Sequence, residues 1–287
     1  MKYGTATALC WTAAAFLLLL VGACEKQAAG DTGQVCSWPR WGGPDGNWVS
    51  KETGWNPEAL NGSSPVAWTA NIGVGYSNVA IQGGRLFTMG SDIAKQTYFC
   101  LDATSGKVLW KYSQKFMSTP PQSTPAVDGE LVYMLRSDGL LHCFFARSGR
   151  IKWSKQLVRE FEVLRPQYGF SGSPVVEGNL VLITCNAYGI ALDKETGKVA
   201  WKSPTEDPNL AGRSMIDAYA TPVVYTQGDK RYLCQFNGYG VYAVNVKTGQ
   251  PKWFYSWPPG GFTDWANVAD PIVHDDKVFI STGYGIG

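Results

Sequence analysis

Residues Ala191–Trp201 read ALDKETGKVAW. The stretch turns on Thr196-Gly197, closes on a tryptophan, and recurs along the chain. Cys100–Trp110 reads CLDATSGKVLW, Cys143–Trp153 reads CFFARSGRIKW and Ala243–Trp253 reads AVNVKTGQPKW, while Trp68 in PVAW keeps only the tail of the unit. The closing tryptophans, Trp68, Trp110, Trp153, Trp201 and Trp253, stand 42, 43, 48 and 52 residues apart. Self-similarity at a period of this size marks a repeat architecture. A tighter rhythm runs through the head of each copy. Pro125, Pro174, Pro222 and Pro271, each followed by two apolar residues, are 49, 48 and 49 residues apart. Proline is tolerated at the start of a strand, where no ladder donor is required, so each head is expected to open a strand. The first copy, Ser77-Asn78-Val79-Ala80, is read with Asn78 in the place of the proline.

Between head and tail the third copy divides cleanly. Pro174–Val176 is a first strand, Glu177-Gly178-Asn179 a tight turn, and Leu180–Cys185 an apolar second strand. Asn186–Gly189 turns the chain again, Ile190–Leu192 is a third strand, and Lys198–Lys202 a fourth. Four short antiparallel strands in each period describe the blade of a β-propeller. The closing motif has a physical logic. Asp193, like Asp102 two motifs earlier, accepts backbone N–H groups of its own turn. Gly197 supplies a positive φ without a Cβ clash, and Gly106, Gly149 and Gly249 hold the same place. The tryptophan covers the face between two blades. Phe145 replaces the aspartate in Cys143–Trp153, so that turn should be held less firmly. Cys100 and Cys143 occupy the position that Ala191 and Ala243 fill elsewhere, which reads as a small buried slot.

The motif A-x-D-x-x-T-G-K-x-x-W resembles the tryptophan-docking motif of the quinoprotein (PQQ-dependent) alcohol dehydrogenase-like propellers. Ala191–Trp201 matches every position, Cys100–Trp110 departs at Cys100 and Ser105, and Ala243–Trp253 departs at Asn245 and Gln250. The opening Trp38-Pro39-x-x-Gly42-Gly43-Pro44 resembles that of exported PQQ-binding-like β-propeller repeat proteins. The BamB-like lipoprotein propellers are relatives. The resemblance implies an all-β propeller of four-stranded blades. It implies no enzyme activity by itself. The dehydrogenases place a vicinal Cys-Cys disulfide over the quinone and hold calcium with Glu, Asn and Asp, and no adjacent cysteines or matching local motif occur here. They are also about twice as long. On this alignment four blades are complete and a fifth stops at Tyr284-Gly285-Ile286-Gly287, as its third strand begins. The expectation is a piece truncated from a ring of seven or eight blades, a monomer once complete. A native small propeller closed by another chain is the alternative.

The N-terminus reads as a targeting segment. After Lys2 no charge occurs until Glu25, Ala13–Val21 is apolar, and Val21-Gly22-Ala23-Cys24 resembles a lipobox. Residues 1–23 are then a lipoprotein signal peptide, and Cys24 is the acylated first residue of a tether over 24–37. An uncleaved anchor is the alternative, since the uncharged stretch can span a bilayer. Either reading places the propeller, residues 65–287, on the periplasmic side of a bacterial membrane, with the outer membrane favoured. Residues 38–64 form a strap rich in Trp, Gly and Pro. Trp38, Trp41 and Trp48 are expected to pack on the body, with an aromatic ligand surface as the alternative.

The chain of 287 residues carries a net charge of +2 with its basic residues scattered, which gives no argument for nucleic acid. Five cysteines remain beyond Cys10 and Cys24, with no C-x-x-C pair, and only His142 and His274 accompany them, so a zinc site is not expected. His142, flanked by apolar strand residues, reads as structural. Function is instead expected where the repeat is broken, in the loops leading into the inner strands. These bring Tyr76, Tyr168, Ser171, Asp217, Tyr219, Asp264, Trp265, Asn267 and Asp270 towards one mouth. The competing reading is that such residues satisfy loop backbone groups. Asp217, Asp264 and Asp270 could together hold calcium. The sequence therefore points to a non-catalytic scaffold for protein partners in the cell envelope, with no cofactor. A PQQ- and calcium-dependent oxidoreductase is the alternative.

Overall fold

A computed structural model describes residues 37–54, 56–62, 65–115, 119–205, 218–257 and 267–282. The expected signal segment over 1–23, Cys24, Cys36, Asp217, Asp264 and Trp265 lie outside the described residues. The chain builds successive antiparallel sheets. The first contains Ala80–Gln82 (β1), Arg85–Ser91 (β2), Lys95–Asp102 (β3) and Val108–Lys115 (β4). The second contains Ala126–Asp128 (β5), Leu131–Leu135 (β6), Leu140–Phe145 (β7) and Ile151–Gln156 (β8), followed by a short helix, Leu157–Phe161 (α1). Val175–Glu177 (β9), Leu180–Ile183 (β10), Ile190–Asp193 (β11) and Val199–Lys202 (β12) make the third. Val223–Gln227 (β13), Lys230–Asn237 (β14), Gly240–Asn245 (β15) and Pro251–Ser256 (β16) make the fourth. Ile272–His274 (β17) and Lys277–Phe279 (β18) pair as a two-stranded sheet. These are the blades of a β-propeller, each paired in simple sequence order. The first strands are neighbours: β1 lies against β5, β5 against β9, and β13 against β17.

Strand alternation explains why the middle strands are apolar throughout. On β6, Val132 and Met134 pack with Phe87, Met89 and Tyr98 of the preceding blade. Tyr133 and Leu135 point the other way and pack with Val181, Ile183 and Leu192 of the following one. Side chains of period two thus bury both faces of a sheet between its neighbours. Leu180, Leu182 and Ala191 pack in turn on Leu233, Val244 and Val246.

The repeated motif is the latch between blades. The Trp110 indole donates to Ala146 O (2.8 Å), Trp153 to Lys194 O (3.0 Å) and Trp201 to Val246 O (2.7 Å), each in the turn of the next blade. Trp68 does the same to Ala103 O (3.2 Å). The turn aspartates behave as the sequence reading requires. Asp193 Oδ1 accepts from the backbone of Glu195 and Thr196 and from the Thr196 hydroxyl, and Asp102 does so from Thr104 and Ser105. These donors hold both carboxyls below their usual range, the hydroxyl bond first. Phe145 has no such side-chain acceptor, and its turn is closed by Gly149 N–H to Phe145 O (2.8 Å), with the Arg150 guanidinium 4.6 Å from the Phe145 ring centre. The small slot is real: Cys100, Cys143, Ala191 and Ala243 are fully buried, each paired with its blade's closing tryptophan beside a register shift.

β1 starts at Ala80 as β5 starts at Ala126, so Val79, not Asn78, stands where the prolines stand. Asn78 matches the residue before each proline.

Candidate functional site

The residue before each head proline is short and polar: Thr124, Ser173, Thr221 and Asp270. A proline forces its predecessor into extended backbone, which carries that residue's N–H to the inner edge of the blade. There it meets the side chain of the equivalent residue one blade on. Asn78 N donates to Thr124 Oγ1 (3.3 Å), Thr124 N to Ser173 Oγ (2.9 Å), Ser173 N to Thr221 Oγ1 (3.0 Å) and Thr221 N to Asp270 Oδ1 (2.7 Å). This relay joins the blades at the axis as the tryptophans join them at the rim. Sequence reading missed it, although the signal was present as a Ser, Thr or Asp before every proline. Thr221→Val leaves the buried Ser173 N–H without its acceptor and is expected to cost about 1–3 kcal/mol in chemical denaturation, whereas Thr221→Ser stays close to wild type. Equal effects from the two would remove the relay from the stability argument.

Above the relay lies a hollow of about 680 Å³ lined by Trp41, Tyr76, Gln122, Tyr168, Ser171, Ser173, Tyr219, Thr221, Val268 and Asp270. Five of the residues named from sequence, Tyr76, Tyr168, Ser171, Tyr219 and Asp270, meet in it. Asn267 does not: it is buried, and its amide donates to Asn237 O (2.7 Å). Several of these residues also satisfy loop backbone, as the alternative reading anticipates. Gln122 Nε2 donates to Tyr168 O (3.1 Å), Tyr168 N to the Tyr219 hydroxyl (3.2 Å) and Ser171 Oγ to Tyr219 O (3.3 Å). The Tyr168 and Tyr219 rings lie 6.1 Å apart. Tyr76 and Tyr168 nevertheless remain 75% and 61% exposed.

Trp41 reaches the hollow from the strap. Trp38 exchanges two backbone hydrogen bonds with Ile81 (2.8 Å each), and Val127 N donates to Pro39 O (2.8 Å). The strap thereby fills unpaired edge groups of the inner strands. Its Trp41 indole donates to Asp270 Oδ2. Trp48 corrects the expectation of a packed strap: it is 49% exposed, edge-on to Trp41 with ring centres 4.7 Å apart. Burial pushes the Asp270 carboxyl up to about 6, against the Trp41 and Thr221 donors, which favour its ionised form.

The polar cluster around His142 is internally hydrogen-bonded. His142 lies between Ser154 Oγ (2.6 Å) and Gln114 Oε1 (3.0 Å), and burial and the nearby Arg136 push its pKa down to about 4. Arg136 in turn holds Asp138 through two bonds of 2.7 and 2.5 Å. A second hollow of about 600 Å³ is lined by Arg40, Asp45, Asp128, Glu177 and Arg231. Its carboxylates are paired, Glu177 with Arg231 (2.7 Å), Asp128 with Lys194 (2.6 Å) and Asp45 with Lys51 (2.5 Å), while Arg40 donates to backbone carbonyls of the strap. Among the described residues no three His, Cys, Asp or Glu side chains gather as a metal site.

Residues 58–286 match the family model described as outer membrane protein assembly factor BamB. The chain belongs to that family. This BamB-family chain is also similar to quinoprotein dehydrogenases. It is 32% identical over 127 residues to quinohemoprotein alcohol dehydrogenase ADH IIB of Pseudomonas putida, covering 38% of this chain and 18% of that one. It is 26% identical over 230 residues to the dehydrogenase subunit of the quinone alcohol dehydrogenase of Gluconobacter oxydans, covering 67% and 30%. In fold it resembles the quinohemoprotein alcohol dehydrogenase of Comamonas testosteroni, with a TM-score of 0.65 at 17% identity over 86% of this chain and 45% of that one. The chain spans less than a third of the length of these curated relatives.

Those relatives raise pyrroloquinoline quinone as a ligand, and the mouth can be tested for it. The quinone is a planar polycarboxylate. The hollow offers aromatic faces, but its charged lining is Asp270, of like sign, and no Lys or Arg lines it among the described residues. The described lining therefore supplies no cationic partner of its own for the quinone's carboxylates, and Asp270 is its one carboxylate for a calcium ion.

Proposed function

We propose that this chain is an exported propeller, lipid-anchored through Cys24 to the periplasmic side of the outer membrane, that acts as a non-catalytic binding module for protein partners in the envelope. The mouth hollow is its contact site. The observation that carries this reading is the meeting of Trp41, Tyr76, Tyr168, Ser171, Tyr219 and Asp270 in one concave site. Convergent aromatic and polar groups in a concavity are what a binding site requires, and no group of three His, Cys, Asp or Glu side chains accompanies them among the described residues. Membership of the BamB family supports an envelope role.

The likeness to quinoprotein alcohol dehydrogenases supports a second reading, a PQQ-dependent oxidoreductase. One pair of measurements separates the two on the full-length protein. PQQ with calcium is titrated while tryptophan fluorescence and alcohol-dependent dye reduction are followed, and purified subunits of the β-barrel assembly machinery are tested for capture by wild type and Tyr168→Leu. The module reading expects no dye reduction and capture that weakens at least tenfold in the variant. Stoichiometric PQQ binding with dye reduction would establish the oxidoreductase instead.

A further inference from the structure

The mouth hollow combines three features whose chemistry points one way. Its walls are aromatic: Trp41, Tyr76, Tyr168 and Tyr219. Its described lining carries one ionisable acid, Asp270, and neither Lys nor Arg. The remaining polar lining, Gln122, Ser171, Ser173 and Thr221, is neutral. Aromatic faces carry negative potential and attract a cation, most strongly when water is excluded, and a carboxylate beside them adds a full charge. Asp270 has the capacity to do so. One of its oxygens accepts from the Trp41 indole and the other from Thr221 N–H, and a carboxylate offers about four acceptor positions. Tyr76 and Tyr168 present exposed rings at the rim, and Tyr219 backs Tyr168.

We propose that this hollow receives the ammonium group of a lysine side chain presented by a partner protein, with the cation held among Trp41, Tyr76 and Tyr168 and against the Asp270 carboxylate. The inference rests on the reading of the hollow as the protein-binding site, and it names the group that enters. A lysine supplies the apolar stem that lies along the tyrosine rings and the charge that reaches Asp270. Binding of a cation favours ionised Asp270 and so weakens as the carboxyl is protonated. The groups around Asp270 are Trp41 and Arg40 of the strap, Thr221 of the fourth blade, and Tyr76, Tyr168 and Tyr219 of the mouth. Arg40 is turned to the strap backbone, donating to Gly43 O (3.3 Å) and Pro44 O (3.2 Å).

The test is titration of the full-length protein with Nα-acetyl-lysine methylamide, with its Nε-acetylated counterpart, and with tetramethylammonium, followed by tyrosine and tryptophan fluorescence and by calorimetry. The charged lysine probe is expected to bind at least tenfold more tightly than the acetylated one at pH 7.5, and about tenfold more weakly at pH 5, where Asp270 is largely protonated. Asp270→Asn and Tyr168→Leu each lower its affinity at least tenfold; Tyr168 is exposed, so its replacement leaves the fold intact. Equal binding of the two lysine probes, or indifference to both substitutions, overturns the proposal. Binding of tetramethylammonium without the lysine probe also overturns it, and assigns the hollow to small quaternary amines. If capture of an assembly subunit is lost in Tyr168→Leu while no ammonium probe binds, the lysine assignment fails and the binding-module reading stands.

Discussion

Trp201→Ala is expected to lower stability by about 3–5 kcal/mol, the range for removing a large buried aromatic. Trp201 is 8% exposed and sits among Val175, Leu182, Ala191, Leu233 and Val244, so it fills the seam between the third and fourth blades. Truncation opens a cavity at that seam, and neither sheet can collapse into it without breaking its own ladder. It also leaves the buried Val246 carbonyl without the indole donor at 2.7 Å. For a domain of this size the melting temperature should fall by about 10 °C, read by near-ultraviolet circular dichroism and calorimetry. Trp201→Phe keeps most of the buried area and loses the hydrogen bond, so its loss should be roughly half as large or less. A melt unchanged by Trp201→Ala would show that the latch is decorative.

Gly249→Ala should be nearly as damaging, for a reason invisible in the turn alone. Gly249 has φ +67, where an L-residue costs about 1–2 kcal/mol. A Cβ there would also stand 2.5 Å from Cδ2 and Cε3 of Trp201, so the ring must leave its seat. Strain and lost packing together predict a destabilisation of about 3 kcal/mol. The diagnostic measurement is the double-mutant cycle with Trp201→Ala. With the ring removed, the added methyl meets no obstacle, so the two losses should fall short of additivity by more than 1 kcal/mol, roughly the packing share of the glycine effect. Additive losses would mean that backbone strain alone explains the glycine. Gly178 serves as a control, since its φ is +59 and a Cβ there would meet nothing within 4 Å, so Gly178→Asn is expected to be mild.

The blades were legible because their signals are local and repeated. Asp193, Thr196, Gly197 and Trp201 lie within one turn and strand, and each performs the role its chemistry suggests. Phe145 shows the same logic in reverse: a turn without the aspartate keeps its backbone closure and loses the side-chain acceptor. The mouth was legible only in outline. Tyr76, Tyr168, Ser171, Tyr219 and Asp270 could be placed at one end of the inner strands by counting periods. Trp41 could not, because its contact with Asp270 joins residues 229 apart through a strap that lies outside the repeat. Asn267 looked equivalent to its neighbours in sequence, yet its side chain turns inward to Asn237 O.

The sequence by itself determined the blade, its four strands, its latch and its order, since these follow from period-two burial, glycine turns and one aromatic per repeat, all encoded within about fifty residues. Only the tertiary structure decided what stands between the blades. It showed that the glycine of each closing motif is bare because the preceding repeat's tryptophan lies on it, that the residues before the head prolines bond from blade to blade around the axis, and that the strap brings Trp41 to a desolvated carboxylate. Contacts between repeats depend on how sheets stack, and no local pattern of side chains specifies that distance.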